Sequence, residues 1–206
     1  IEKLDSFLSS NNVDIIISMG DLLDTHERLH VTPFNRAIKY LKMLSSHTKT
    51  YVLVGNHDYE NNSQCLSDKH WLNCVKDYKN LKVIDTVKLE KLNGIKFILC
   101  PYVPDGKFLE CLENVEWKDS DCIFGHQLIN GVKMGAIITE NVEDWKPEYP
   151  LLISGHIHDK QIIGNNVIYT GSSIQHAFGE SCDKSLLLLQ LSDKGYNTTE
   201  IDLELP

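Results

Sequence analysis

The chain has 206 residues, 42% of them apolar, enough to build one substantial core without disulfide or metal staples. Its net charge of −9, from 29 acidic and 20 basic residues, argues against a broad duplex-binding surface, which is normally basic. No apolar run approaches the ~18 residues of a membrane helix, so no membrane association is expected, and no secretory leader is visible.

In chain order, IEKLDSFLSSNN places Ile1, Leu4, Phe7 and Leu8 on one stripe and predicts an amphipathic helix closed by the two asparagines. Val13 to Met19 reads as a buried strand. PFNRAIKYLKMLSS, with Pro33 near its start, predicts a second helix, and Lys49 to Val54 a second strand. QCLSDKHWLNCVKDY reads as a third helix. KVIDTVKLEKLNGIKFILC follows as strand, with Asn93-Gly94 marking a hairpin turn. A helix around Gly106 to Glu113 comes next, then a strand before Gly125, a loop containing WKPEYP, and a strand before Gly155. The tail is β-rich: QIIGNNVIYTG and KSLLLLQLSDKGYNTTEIDLEL each predict a hairpin.

Buried strands alternating with helices predict a mostly parallel sheet, with the β-rich tail as an antiparallel layer against it. The expected fold class is α/β, as a four-layer αββα sandwich in a single domain over residues 1–206. The six cysteines (Cys65, Cys74, Cys100, Cys111, Cys122, Cys182) show no C-x-x-C pair or finger spacing. Reduced thiols are expected, in a cytoplasmic or nuclear compartment.

Four of the predicted strands end alike. VDIIISMGDLLD runs into Gly20 and Asp21; TYVLVGNHD into Gly55, Asn56, His57 and Asp58; DCIFGHQ into Gly125 and His126; LLISGHIHD into Gly155, His156 and His158. In an extended chain residues two apart face one side, so His156 and His158 would share a site. Ligands of open α/β sheets bind beyond the carboxyl ends of the strands, and all four loops lie there. Turn chemistry is the competing account, because Asp, Asn and Gly commonly follow strands.

The ordered set GDLLD, GNHD, GH and GHIH resembles motifs two to five of the calcineurin-like metallophosphoesterases, over about Asp14 to Glu180. The resemblance implies two divalent ions about 3.5 Å apart. Asp21 would bridge them, Asn56, His126 and His156 would hold one, and His158 would reach the other. His57 would stand over the phosphate as a catalytic group, with Asp24 beside it, while Asp24 and Asp58 would orient Asp21 and the histidines. His26 and His30 follow the GDLLD loop, where facing the substrate is one reading and exposed surface histidines the favoured one. The family's first motif, D-x-H, is absent, so the chain is expected to be N-terminally truncated, its first strand missing, and to hold one ion better than the other.

VIYTGSSIQHAFGE, Val167 to Glu180, resembles the SbcD-type nucleases related to the meiotic recombination eleven nuclease. GDLLDTHE and GHQLINGVKMG resemble the bacterial and phage versions, which leaves a viral or phage source open. This implies a DNA exonuclease or endonuclease of double-strand-break repair, activated by manganese (Mn2+), with magnesium (Mg2+), iron (Fe2+) or zinc (Zn2+) as other candidates. It also implies DNA and an SMC-like ATPase of the SbcC type as partners, a possible homodimer, and Gly171 and Ser172 near the substrate. The nucleases' C-terminal cap domain is expected to be absent here. Two alternatives stand beside it: a phosphatase or nucleotide phosphodiesterase for small substrates, and a non-catalytic interaction module with a degenerate site.

Overall fold

The first half of the chain lays down a parallel sheet, seen in a computed structural model that describes residues 1–135, 137–192 and 194–205. Helix α1 (Glu2–Ser10) leads to strand β1 (Ile15–Ser18), helix α2 (Val31–His47) crosses to β2 (Lys49–Leu53), and β3 (Leu81–Ile84) completes the order β1-β2-β3. Both pairings are parallel. Alternate residues of β2 point to opposite faces, so Val52 joins Leu41 of α2 in one core while Tyr51 and Leu53 enter another. Leu41 has no exposed surface, and burying such a side chain contributes about 1.5–3 kcal/mol.

The second sheet begins with β4 (Lys88–Leu92) and β5 (Ile95–Leu99), followed by α3 (Phe108–Leu112) and β6 (Cys122–Gly125). A short ribbon of β7 (Lys133–Met134) and β8 (Ile137–Ile138) precedes β9 (Leu151–Ser154), β10 (Gln161–Ile163) and β11 (Val167–Tyr169). Its order is β10-β11-β9-β6-β5-β4, with the four central strands parallel and both edges antiparallel. The β4–β5 turn is two residues long, with Asn93 at φ 50° and Gly94 at φ 89°, the left-handed pair that suits a tight hairpin.

The two sheets share a core. Tyr51, Leu53 and Ile84 from the first meet Phe97, Leu99, Phe124, Leu151 and Ile153 from the second. The other face of the second sheet, with Ile98, Ile123, Leu152 and Tyr169, packs against Phe108 and Leu112 of α3 and against Trp117. The fold is a mixed α/β one with several sheets and few helices, and no helix among the described residues is long and apolar enough to cross a membrane.

Two expectations about elements are corrected. The segment read as a third helix forms only a single 3-10 turn, Trp71–Val75. Leu66 is left-handed (φ 46°), its N–H donates to the Tyr59 hydroxyl, and His70 bridges back to Tyr59, so tertiary contacts override the helical stripe. Both tail hairpins form as expected, each antiparallel, but they do not make one separate antiparallel layer. β10–β11 extends the parallel sheet through β11 beside β9, while β12 (Leu186–Ser192) and β13 (Gly195–Ile201) form their own hairpin, whose Leu187, Leu189 and Leu191 cover the shared core.

Candidate metal centre

The site forms where the carboxyl ends of β1 and β2, in one sheet, meet those of β6 and β9, in the other. Glycine allows the approach. A Cβ on Gly55 would lie 2.1 Å from an Asp21 carboxylate oxygen, and one on Gly20 would lie 2.9 Å from His126 Nδ1. Gly20 also adopts φ 99°, which L side chains rarely tolerate. Two side-chain donors carry backbone strain of their own, Asp21 after Gly20 at φ 52° and His156 after Gly155 at φ 74°. Such left-handed residues cost of order 1–3 kcal/mol each and concentrate at functional sites.

Four electron-pair donors converge here. His126 Nε2 lies 3.0 Å from Asp21 Oδ2 and 3.1 Å from Asn56 Oδ1, and His156 Nδ1 lies 2.9 Å from the same Asn56 oxygen and 3.2 Å from His126 Nε2. One donor atom each from Asp21, His126 and His156 lies within 4.8 Å of the others. The tautomer of His126 follows from its other nitrogen, because Nδ1–H donates to the Met19 carbonyl at 2.7 Å and turns the Nε2 lone pair toward the cluster. Crowding a carboxylate, an amide oxygen and two imidazole nitrogens with so few hydrogens between them is favourable around a cation. The donor set therefore fits a divalent metal with mixed oxygen and nitrogen preference.

The electrostatics agree. Burial pushes Asp21 up, but the adjacent His126 charge and hydrogen bond, with the His57 N–H, bring it down to about 2. Asp21 is thus ionised at neutral pH. Burial and the neighbouring His126 drive His156 down to about 4, which keeps its imidazole neutral and able to ligate. His126 is raised despite burial, because the Asp21 carboxylate faces it. A cation arriving between them would displace that shared proton.

The surrounding residues hold this arrangement. Buried Asp58 accepts the Asp21 N–H at 2.8 Å, the Gly55 N–H at 3.0 Å and the Trp71 indole N–H at 2.7 Å. Burial first, and the Asp21 charge second, raise Asp58 to about 6. His57 donates its backbone N–H to Asp21 Oδ1 at 2.9 Å, and its ring Nδ1 lies 2.9 Å from the Asp24 carbonyl. The Asp24 carboxylate is exposed and 3.6 Å from the same nitrogen, so Asp24 holds the His57 ring chiefly through its main chain.

His158 is not among the donors that lie within 4.8 Å of one another. Its Nδ1 lies 2.8 Å from Glu180 Oε1, and its ring lies 4.9 Å from that of His176. Gly171 and Ser172 are packed on the His158 main chain: the Ser172 N–H donates to the His158 carbonyl at 3.0 Å, and a Cβ on Gly171 would come 3.1 Å from that oxygen.

Several contributors escaped sequence reasoning. Tyr102 stacks on His156 with centroids 6.1 Å apart and meets His126 edge-on at 6.4 Å. Nothing in PYVPDG signals this. His26, read as a surface histidine, is half-buried: its ring stacks on His57 at 5.1 Å, and its Nδ1 lies 3.1 Å from the Tyr59 carbonyl. His30 is exposed as expected and stands at the N-cap position of α2 without a side-chain capping bond.

Residues 1–160 match the model of the calcineurin-like phosphoesterase family. The provisionally named phosphoesterase 244L of Invertebrate iridescent virus 6 is 46% identical over 202 residues, covering 94% of this chain and 72% of that protein. Phosphoesterase 078R of Invertebrate iridescent virus 3, also provisionally named, is 43% identical over 210 residues; the match takes in the whole chain but only 60% of the relative's length. Among solved structures, an archaeal phosphodiesterase matches with a TM-score of 0.50 at 14% identity, over 97% of this chain and 90% of that one, a likeness of fold. The strand-end donors, the family match and the viral relatives agree: this chain belongs to the calcineurin-like phosphoesterase family.

Proposed function

We propose that the chain is the catalytic part of a divalent-metal phosphodiesterase that cleaves nucleic acid, with manganese as activator. The observation that carries the metal-dependent hydrolase is the convergence of Asp21, Asn56, His126 and His156 at the ends of four strands. These residues would hold one ion. Asp21, whose second oxygen faces the His57 N–H, would share its charge with another ion on the side toward His158. Bound cations would supply Lewis acidity toward the phosphate and lower the pKa of a water molecule.

The chain's own groups then have defined tasks. His57, its ring fixed by the Asp24 carbonyl and more than a third exposed, offers Nε2 to the departing oxygen as a proton donor. Asp58 keeps the Asp21 and Gly55 main chain in place. Tyr102 restrains the His156 ring by stacking on it.

The nuclease assignment draws its support from the resemblance of Val167 to Glu180 to the SbcD-type enzymes. It brings with it DNA as substrate, an SMC-like ATPase as partner, a possible homodimer and a viral source, in keeping with the iridescent virus relatives. The acidic balance of −9 favours a second reading, a phosphatase or diesterase for small substrates. Manganese-loaded protein assayed on single-stranded and supercoiled DNA, and in parallel on p-nitrophenyl phosphate mono- and diesters, separates them. Cleavage of DNA supports the nuclease; turnover of the small esters alone selects the second reading; no turnover of any ester rejects both.

A further inference from the structure

The loop after β1 ends in an unusual pair. His26 lies in the left-handed region at φ 47°, and its imidazole stacks on that of His57, with centroids 5.1 Å apart and planes inclined by 27°. Each ring is anchored in the same manner: Nδ1 of His57 lies 2.9 Å from the Asp24 carbonyl and Nδ1 of His26 lies 3.1 Å from the Tyr59 carbonyl. Both rings must therefore carry hydrogen at Nδ1. Among the described residues, neither Nε2 has a protein hydrogen-bond partner. A loop strained to place a second imidazole against the first, with its Nε2 uncommitted, is more than packing needs, since any flat apolar ring would fill that space.

We propose that His26 is a second phosphate-contacting residue, which presents its Nε2–H to a non-bridging oxygen of the same anionic phosphoester that His57 faces. Protonated imidazole donates from both nitrogens, so anchoring Nδ1 leaves Nε2–H for the ligand. A charge-assisted bond of this kind contributes binding to the phosphate group itself rather than to whatever the phosphate carries. The assignment rests on the phosphoester reading above and adds to it a residue that the sequence alone left between the substrate and the surface.

The test uses inorganic phosphate as the probe, read as inhibition of bis-p-nitrophenyl phosphate turnover by manganese-loaded protein and, in protein loaded with diamagnetic magnesium, as shifts of the histidine Cε1–H resonances. His26→Phe keeps a stacking ring and loses Nε2; His26→Asn suits the left-handed backbone and is too short to reach. Both variants are expected to weaken phosphate inhibition about tenfold, with manganese content and thermal midpoint unchanged, and the His26 resonance of the wild type is expected to move with phosphate. Inhibition by phosphate equal to wild type in His26→Phe overturns the proposal and leaves stacking as the role of His26. Weakening that only accompanies loss of manganese or of fold overturns it as well, by assigning His26 to the loop's structure. A wild type that takes up manganese but hydrolyses no ester defeats the underlying phosphoester reading, whereas an active wild type beside an unaltered His26→Phe defeats this proposal alone.

Discussion

The N–H of Asp21 is held 2.8 Å from a carboxylate oxygen of Asp58, a residue 37 positions along the chain and in a different loop. That single carboxylate also fixes Gly55 and Trp71, so the loops following β1 and β2 are tied through one buried side chain.

Asp58→Ala strands three donors, two of them backbone. The expected loss is about 3 kcal/mol or more in stability, because buried donors without partners keep their full desolvation cost. Manganese affinity should fall ~10- to 100-fold, as for other residues that orient ligands. Thermal melts and calorimetric titration check both, and an unchanged affinity would remove Asp58 from the support of the site.

His57 offers a cleaner separation. Replacing it with alanine is expected to lower diester cleavage ~10²- to 10⁴-fold while the manganese content stays nearly constant. Metal analysis alongside kinetics decides the point, since joint loss of metal and activity would reassign His57 as a ligand.

Chelation should lower the thermal midpoint. An ion at a hundred times its dissociation constant stabilises by about 2.7 kcal/mol, which for a chain of this size is roughly 5 to 10 °C. In Asp21→Asn or His156→Ala protein, adding EDTA should change the midpoint far less. A wild type whose melting is indifferent to EDTA and manganese contradicts a metal held by these residues.

The pH dependence of the metal-free protein has two opposing contributions. His156, lowered from 6.5 to about 4 by burial and by His126, resists a proton that the unfolded chain accepts, so its contribution is lost as pH falls from about 6.5 to about 4. Asp58, raised from 3.8 to about 6 by burial and by Asp21, takes up a proton before the unfolded chain does, so folding gains as pH falls from about 6 to 3.8. His156→Asn should therefore show a thermal midpoint that rises, relative to wild type, on acidification through that window, and Asp58→Asn one that falls. Parallel slopes in all three proteins would falsify this account.

The strand ends were legible because their chemistry is local. Gly55, Asn56 and His57 are consecutive, and the close approach of Gly55 to Asp21 demands the very residue the sequence shows. The framework around them was not legible, because it is long-range: His126 and the Met19 carbonyl are separated by 107 positions, and only the folded chain shows which nitrogen of that ring is committed. The segment around His70 failed for another reason. Its apolar spacing suits a helix, yet Leu66 and the bridge to Tyr59 draw the backbone away, a preference that no local pattern records. His26 was read as surface because nothing in GDLLDTHE distinguishes a histidine folded onto a neighbour from one that faces water.

The donor atoms come in equal number from the two sheets, Asp21 and Asn56 from one and His126 and His156 from the other. An ion seated among them acts as a rivet through the seam, resisting any slide of one sheet past its neighbour. Amides along β1 and β9, the strands that run into the site from the two sheets, should then report the ion's presence through slower hydrogen exchange.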